Sequence, residues 1–227
     1  MRPVRHAIFD LDGLLLDTES IYTSVTNSIL ARFGKRLPPE VKARMMGQKK
    51  LESARILVAT LDLPMTPEGY LEERAPLLLE RFPDCAALPG AESLVRRLAG
   101  AGASVALATG SDAVEFEAKT RRHRDWIDLV RTRVLGDDPA VKHGKPAPDI
   151  FLETARRLGA EPAECLVFED APNGAQAALA AGMAVVVVPG DHAPRDAYPE
   201  VDQVLASLAD FDPRRWGLLD ASEPGGS

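Results

Sequence analysis

The chain of 227 residues contains few cysteines, and none of them are closely spaced. Cys85 and Cys165 are its two cysteines, and neither belongs to a CxxC pair. So sparse a pattern excludes a disulfide framework and a zinc site built on cysteine. It is typical of a protein whose thiols stay reduced in the cytosol.

Long hydrophobic runs are also missing from the sequence. The longest, residues 177–188, contains Gly182 and ends before Pro189, whereas a transmembrane helix needs about 20 apolar residues. Residues 1–6 lead into too few apolar residues for the core of a signal peptide. We therefore expect a cytoplasmic protein without a membrane partner.

The sequence contains fewer positively charged residues than negatively charged ones. The 27 Lys and Arg residues stand against 34 Asp and Glu residues, which gives a formal net charge of −7. A dedicated nucleic-acid-binding protein needs a basic face that displaces counterions from phosphates. We therefore expect no nucleic-acid partner.

Several common catalytic motifs do not occur. The sequence has no HExxH and no GxSxG, so a zinc protease and a serine hydrolase have no support. Residues 136–145 match a Walker A loop only superficially, because Pro139 and Pro146 stand where that motif needs Gly and Ser or Thr.

Strand-like and helix-like segments alternate along the chain, with one interruption. Residues 17–87 show helical periodicity without strand-like alternation, and Pro76 predicts that the run at 70–82 is kinked or split into two helices. Short apolar runs predict buried strands at 4–9, 104–108, 132–135, 165–168 and 184–188. Helices are predicted between the later strands, at 91–98, from Asp112 onward, at 149–158 and at 173–181.

This order predicts an α/β protein with a Rossmann-like parallel sheet. Apolar strands between helices are typical of a sheet that is covered on both faces. We expect residues 1–16 and 88–227 to form this core domain, and residues 17–87 to form an inserted all-helical domain.

Chemically capable side chains follow the ends of the predicted strands. Because ligands of open parallel sheets bind at the carboxyl ends of the strands, we expect these side chains to lie together. In chain order they are Asp10 and Asp12, then Thr109, then Lys145, then Glu169 and Asp170.

The charges of this group indicate its chemistry. Four carboxylates facing one lysine favour a hard divalent cation such as Mg²⁺. That ion and Lys145 would together admit a phosphate dianion, whose oxygens the hydroxyl of Thr109 and the backbone N–H groups of Gly110 and Ser111 can bind. Two carboxylates two positions apart can serve as nucleophile and proton donor in phosphoryl transfer.

Four motifs in order give the chain a family resemblance. They read IFDLDG at 8–13, ATGS at 108–111, GKPAPD at 144–149 and VFEDAPNG at 167–174. In this set the sequence resembles the haloacid dehalogenase superfamily, and in particular its phosphatases with a small helical cap after the first strand. The resemblance covers nearly the whole chain, and it implies the Rossmann-like core with an inserted cap domain.

The resemblance also implies a role for each residue. Asp10 would be the nucleophile that forms an aspartyl-phosphate, and Asp12 the general acid and base. The implied phosphate-binding residues are Thr109, Gly110, Ser111 and Lys145. The implied Mg²⁺ ligands are the Asp10 carboxylate, the Asp12 backbone carbonyl and Asp170, with Glu169 acting through a water.

Within the superfamily the sequence is similar to pseudouridine-5′-phosphatases and plant-type glycerol-3-phosphatases. It therefore predicts an enzyme, a Mg²⁺-dependent phosphatase that acts as a monomer on a small organic phosphate monoester. One alternative is a phosphosugar mutase, since β-phosphoglucomutases resemble the sequence too, but Tyr22 stands where they commonly carry a histidine. The other alternative is a protein that binds a phosphate ligand without catalysis.

The cap is expected to set substrate specificity, because its helices close over the rim of the sheet and exclude water. The candidates in the loop between two cap helices are Gln48 and Lys49.

Overall fold

Six parallel strands form a single sheet in a computed structural model that describes residues 4–45, 50–190 and 195–219. The strands are β1 (His6–Phe9), β2 (Ser104–Ala108), β3 (Thr132–Val134), β4 (Cys165–Glu169), β5 (Ala184–Val187) and β6 (Gln203–Val204). Their spatial order is β3-β2-β1-β4-β5-β6. This is the strand order of a doubly wound α/β sheet, so the predicted fold class is confirmed.

Both faces of the sheet are buried. Successive residues of β1 point to opposite faces, so Phe9 packs in one apolar core and Ile8 in the other. The ring of Phe9 stacks on that of Phe168 at 4.5 Å between centroids. Burial of one such side chain stabilises the fold by about 1.5–3 kcal/mol, which explains why these strands read as continuous apolar runs.

Five helices accompany the strands of the sheet. They are α5 (Ala91–Gly100), α6 (Ala113–Thr120), α7 (Arg124–Ile127), α8 (Asp149–Leu158) and α9 (Pro172–Ala180). Asp112 caps α6 by accepting the backbone N–H of Glu115 at 2.9 Å, which satisfies one of the unpaired donors at a helix start. Gly159 ends α8 with a φ of +67°, a conformation that glycine adopts without strain.

Among the described residues between β1 and α5, four further helices are present. They are α1 (Thr18–Ala31), α2 (Pro39–Met45), α3 (Lys50–Thr60) and α4 (Pro67–Arg81), and a short 3₁₀ turn (Phe82–Asp84) follows. Helix α4 packs against both α1 and α3, α2 packs against α3, and α4 and the 3₁₀ turn contact α6. The helical character of this stretch agrees with the sequence analysis, while the division of the chain into domains at residues 17 and 88 stays a prediction.

The structure overturns one of the two outcomes expected at Pro76, the split into two helices, and the kink stays a prediction. Helix α4 continues through this residue instead of splitting in two. The missing N–H of Pro76 removes the helical partner of the Glu72 carbonyl, but both residues are exposed, so solvent can hydrogen-bond that carbonyl. The sequence analysis also missed β6 and α7, which are two and four residues long.

No helix within the described ranges is both long enough and apolar enough to cross a lipid bilayer.

Candidate active site

The predicted side chains gather at one edge of the sheet. Asp10 directly follows β1, Thr109 follows β2, Glu169 is the last residue of β4, and Asp170 comes next. Strands β1 and β4 are neighbours at the point where the strand order reverses, which is where open α/β sheets bind ligands. These residues are far apart along the chain. The parallel pairing of the strands brings them to the same edge of the sheet.

Three carboxylates form a compact acidic cluster, made of Asp10, Glu169 and Asp170. One oxygen from each lies within 4.8 Å of the others, and Asp10 and Glu169 are buried. Burial, together with the charge of Glu169, raises the pKa of Asp10 to about 7 against the opposing effect of Lys145. The same two causes hold the pKa of Asp170 well above its ordinary value. Anions crowded in this way are stabilised by a cation, and oxygen ligands of this kind suit Mg²⁺.

Lys145 supplies positive charge to this acidic cluster. Its Nζ lies 2.6 Å from Asp10 Oδ1 and 2.5 Å from Glu169 Oε1, and it donates to the Ala108 carbonyl at 3.4 Å. Burial favours the neutral amine, but the two carboxylates outweigh it and raise the pKa of Lys145 above its ordinary value. Lys145 is therefore a charged group placed beside the predicted nucleophile.

Two glycines make room for the acidic cluster. A Cβ added to Gly174, in the first turn of α9, would overlap the carboxylate of Glu169. A Cβ on Gly13 would overlap the carboxylate of Asp170, and Gly13 also has a φ of +77°. Both positions therefore require glycine because a carboxylate occupies the space that a side chain would need.

Hydrogen bonds orient the carboxylate of Asp12. Its Oδ2 accepts the hydroxyl of Thr109 at 3.1 Å and that of Ser111 at 2.7 Å. The backbone N–H of Ser111 donates to Thr109 Oγ1 at 3.1 Å, so the loop after β2 is tightly organised. Gly110 lies exposed in the same loop. Thr109 and Ser111 thus face the second aspartate of the predicted pair.

A second lysine, which the sequence analysis missed, contacts Asp12. The Nζ of Lys119 on α6 lies 2.7 Å from Asp12 Oδ1, and the side chain is 1% exposed. Burial opposes the ionisation of Asp12, but Lys119 and the neighbouring hydroxyls lower its pKa below the ordinary value. The expectation of four carboxylates facing one lysine is therefore wrong, since two lysines contact these carboxylates, the partly buried Lys145 and the buried Lys119. The available signal was a lysine three positions after Phe116, on the face that α6 buries.

The specificity candidates Gln48 and Lys49 lie outside the described residues. The described part of the insert does contain a cavity of about 200 Å³ between its helices, lined in part by Glu19, Tyr22 and Arg74.

Comparison with known proteins finds similar chains along most of the sequence. The profile of the haloacid dehalogenase-like hydrolases matches residues 4–182. The mitochondrial (DL)-glycerol-3-phosphatase 1 of Arabidopsis thaliana is 46% identical over 220 residues, which cover 95% of this chain and 74% of that protein. A probable pseudouridine-5′-phosphatase of Drosophila melanogaster is 44% identical over 221 residues, 96% of each chain. The crystal structure of a HAD family hydrolase from Deinococcus radiodurans, with bound phosphate and sodium, has a TM-score of 0.79 at 27% identity and covers 96% of this chain and 99% of that one.

Proposed function

Because the chain belongs to the haloacid dehalogenase-like hydrolases, we propose that it is a Mg²⁺-dependent phosphatase that hydrolyses a small organic phosphate monoester through an aspartyl-phosphate. The names of the two relatives point to glycerol phosphate and pseudouridine phosphate as their substrates. These two leaving groups are both polyhydroxylated alcohols, and we propose a substrate of the same kind for this chain.

The donor set fits Mg²⁺. The acidic cluster offers three carboxylates within 4.8 Å of one another, and hard oxygen ligands are what this ion prefers. Asp10 and Asp170 would hold it, together with the backbone carbonyl of Asp12. Both oxygens of Glu169 already accept hydrogen bonds, one from Lys145 and the other from the backbone N–H of Asp170 at 3.2 Å, which supports an indirect role through water. When bound, Mg²⁺ neutralises charge on the acids and on the phosphate.

In the first step the carboxylate of Asp10 attacks phosphorus. A bond forms between an Asp10 oxygen and phosphorus, and the bond from phosphorus to the alcohol oxygen breaks with its electron pair on that oxygen. Asp12, whose pKa is lowered in the free protein, takes up a proton beside the bound phosphate anion and gives it to the departing oxygen. The other phosphate oxygens would be bound by Lys145, Thr109, Gly110 and Ser111.

In the second step water releases the phosphate. Asp12, now a carboxylate, takes a proton from water while the water oxygen bonds to phosphorus. The bond between phosphorus and Asp10 breaks, and its electrons return to the Asp10 carboxylate. The products are the alcohol and inorganic phosphate, and both aspartates return to their starting forms.

The observation that carries this proposal is the separate environment of each aspartate. Asp10 pairs with Lys145 inside the acidic cluster, whereas Asp12 faces Thr109, Ser111 and the second lysine. Without metal the pKa of Asp10 is raised and that of Asp12 lowered. A bound Mg²⁺ would keep Asp10 ionised for nucleophilic work, and the phosphate anion would favour the protonated form of Asp12, so that the two carboxylates divide the work.

The test is phosphate release from a panel that includes glycerol 3-phosphate, pseudouridine 5′-phosphate and hexose phosphates. With Mg²⁺ the wild-type protein is expected to release phosphate, and EDTA should abolish release. Asp10→Asn is expected to lose at least roughly 10³-fold in kcat, because the nucleophile is gone. Asp210→Asn makes the same change at an exposed position and should keep full activity. A fully active Asp10→Asn protein would contradict the mechanism.

The same panel separates the alternatives. A phosphosugar mutase would yield isomerised sugar phosphate with little free phosphate. A non-catalytic binder would show saturable phosphate binding and no turnover. The cytoplasmic location, the monomeric state and the lack of nucleic-acid and membrane partners stay predictions.

A further inference from the structure

Lys119 connects the predicted acid/base residue to the inserted helices. Its ammonium donates to Ser111 Oγ at 2.7 Å and to the hydroxyl of Tyr22 at 3.1 Å, and it lies 2.7 Å from Asp12 Oδ1. The ammonium thus gives two hydrogen bonds, to the two hydroxyls, and is held to Asp12 Oδ1 by the charge attraction of an ion pair. Glu115 lies further away, at 3.6 Å.

The surroundings of Lys119 come from both parts of the chain. Tyr22 belongs to α1, and the ring of Phe82, which follows α4, lies 4.5 Å from the ammonium. Asp12 and Ser111 belong to the strand ends of the sheet. An ammonium that is 1% exposed is stable only with partners. The packing of the inserted helices against the sheet supplies two of the contacts of Lys119, those with Tyr22 and Phe82.

The two lysines of the site have different partners. Lys145 pairs with Asp10 and Glu169, whereas Lys119 pairs with Asp12. The hydroxyl of Ser111 lies between Lys119 and Asp12. It accepts a hydrogen bond from the Lys119 ammonium and donates one to Asp12 Oδ2 at 2.7 Å. Lys119 therefore reaches Asp12 Oδ1 directly and Oδ2 through the Ser111 hydroxyl, while Thr109 donates to Oδ2 independently of it.

We propose that Lys119 is a positioning residue for proton transfer by Asp12, and that Tyr22 makes this positioning depend on how the inserted helices pack against the sheet. The inference rests on the proposed function. Lys119 acts through Asp12, while Lys145 acts on the nucleophile and the phosphate.

This assignment predicts a dependence on the leaving group. An alkoxide leaves only when it receives a proton, whereas p-nitrophenolate leaves without one. Loss of Lys119 should therefore slow cleavage of an alkyl phosphate and largely spare p-nitrophenyl phosphate. The quantity to compare is kcat/KM, because it excludes hydrolysis of the aspartyl-phosphate, a step that both substrates share.

The experiment compares wild type with Lys119→Met on the best alkyl phosphate of the panel and on p-nitrophenyl phosphate. We expect kcat/KM to fall roughly 10²-fold for the alkyl ester, the size of a general-acid contribution, and less than about 5-fold for the aryl ester. The inhibition constant for inorganic phosphate should stay within about 3-fold. Equal losses on the two substrates, or a large rise in that inhibition constant, would overturn the proposal.

Two further variants guard against a folding defect. Asp12→Asn combined with Lys119→Met leaves no unpaired buried charge, and it should cleave the alkyl ester no more slowly than Asp12→Asn alone. Tyr22→Phe keeps the ring and removes one acceptor, so the alkyl ester should lose about 3–10-fold and the aryl ester nothing. Additive losses in the double variant, or an unchanged Tyr22→Phe protein, would count against the inference.

The proposed function and this inference fail in different measurements. The function fails if the wild-type protein releases no phosphate from any ester. The inference fails if the variants do not change the ratio between alkyl and aryl substrates.

Discussion

Replacing Asp10 with asparagine is expected to stabilise the protein in the absence of metal. Burial and the charge of Glu169 raise the pKa of Asp10 to about 7, from an ordinary value of 3.8. A carboxyl group whose pKa is higher in the folded state costs stability wherever it is ionised. This cost begins above pH 3.8, grows until about pH 7 and then stays constant. Asparagine has nearly the same shape and carries no charge.

The magnitude is set by the size of the shift. About three pKa units at 1.36 kcal/mol each correspond to roughly 4 kcal/mol as an upper limit. Lys145 loses one of its two carboxylate partners, which offsets part of the gain. A net gain of about 2 kcal/mol would raise the melting temperature of a chain this long by roughly 4–8 °C.

The assay is thermal unfolding in EDTA at pH 5 and pH 8, followed by the same scans with Mg²⁺. The gain of Asp10→Asn over wild type should be larger at pH 8 than at pH 5. Added Mg²⁺ should stabilise wild type, because a ligand that binds the folded state raises its stability, and should stabilise the variant much less. Asp210→Asn, at an exposed position, should match wild type throughout. An Asp10→Asn protein that melts at or below wild type in EDTA at pH 8 would refute the reasoning.

Three other changes test the surroundings of the site and the core. Gly174→Ala places a Cβ against the carboxylate of Glu169, so a Mg²⁺ titration of activity should show roughly 10-fold weaker activation; unchanged activation would contradict the crowding. Tyr198→Phe removes the hydroxyl that donates to the Asp170 carbonyl at 2.5 Å, and the same titration should shift in the same direction, whereas an unshifted curve would show that this bond does not orient Asp170. Two arginines lower the pKa of Glu153 from 4.5 to about 2, so its stabilising effect is complete above pH 4.5 and is lost as the pH falls towards 2. Urea unfolding should therefore show Glu153→Gln less stable than wild type at pH 7 and nearly equal at pH 2, and a pH-independent difference would rule out the ion pairs as its cause.

Local pattern was enough to predict the strands and the polar residues at their carboxyl ends. The predicted strand 104–108 and helix 149–158 coincide with the observed Ser104–Ala108 and Asp149–Leu158. A buried strand needs a continuous apolar run, and a polar residue marks its end, so both signals lie within a few neighbouring residues. The positions of Asp10 and Thr109 at strand ends were predictable for the same reason.

Solvent exposure in one case and long-range strand pairing in another account for features that the sequence analysis missed. Helix α4 continues through Pro76 because solvent can satisfy the carbonyl that the proline leaves unpaired. The two-residue strand β6 exists because it pairs with β5, and its own sequence carries too little pattern to be recognised.

The sequence by itself determined which acids, hydroxyls and amides stand at the carboxyl ends of the strands. Only the tertiary structure decided how they are paired: Lys145 beside Asp10, Lys119 beside Asp12, and Tyr22 against Lys119. A lysine on a helix is ordinarily exposed, and the one local signal, its spacing of three from Phe116 on α6, does not identify its partners. Its partners Asp12 and Tyr22 lie far from it along the chain. The role of Lys119 therefore comes from the packing of the inserted helices on the sheet and not from local sequence.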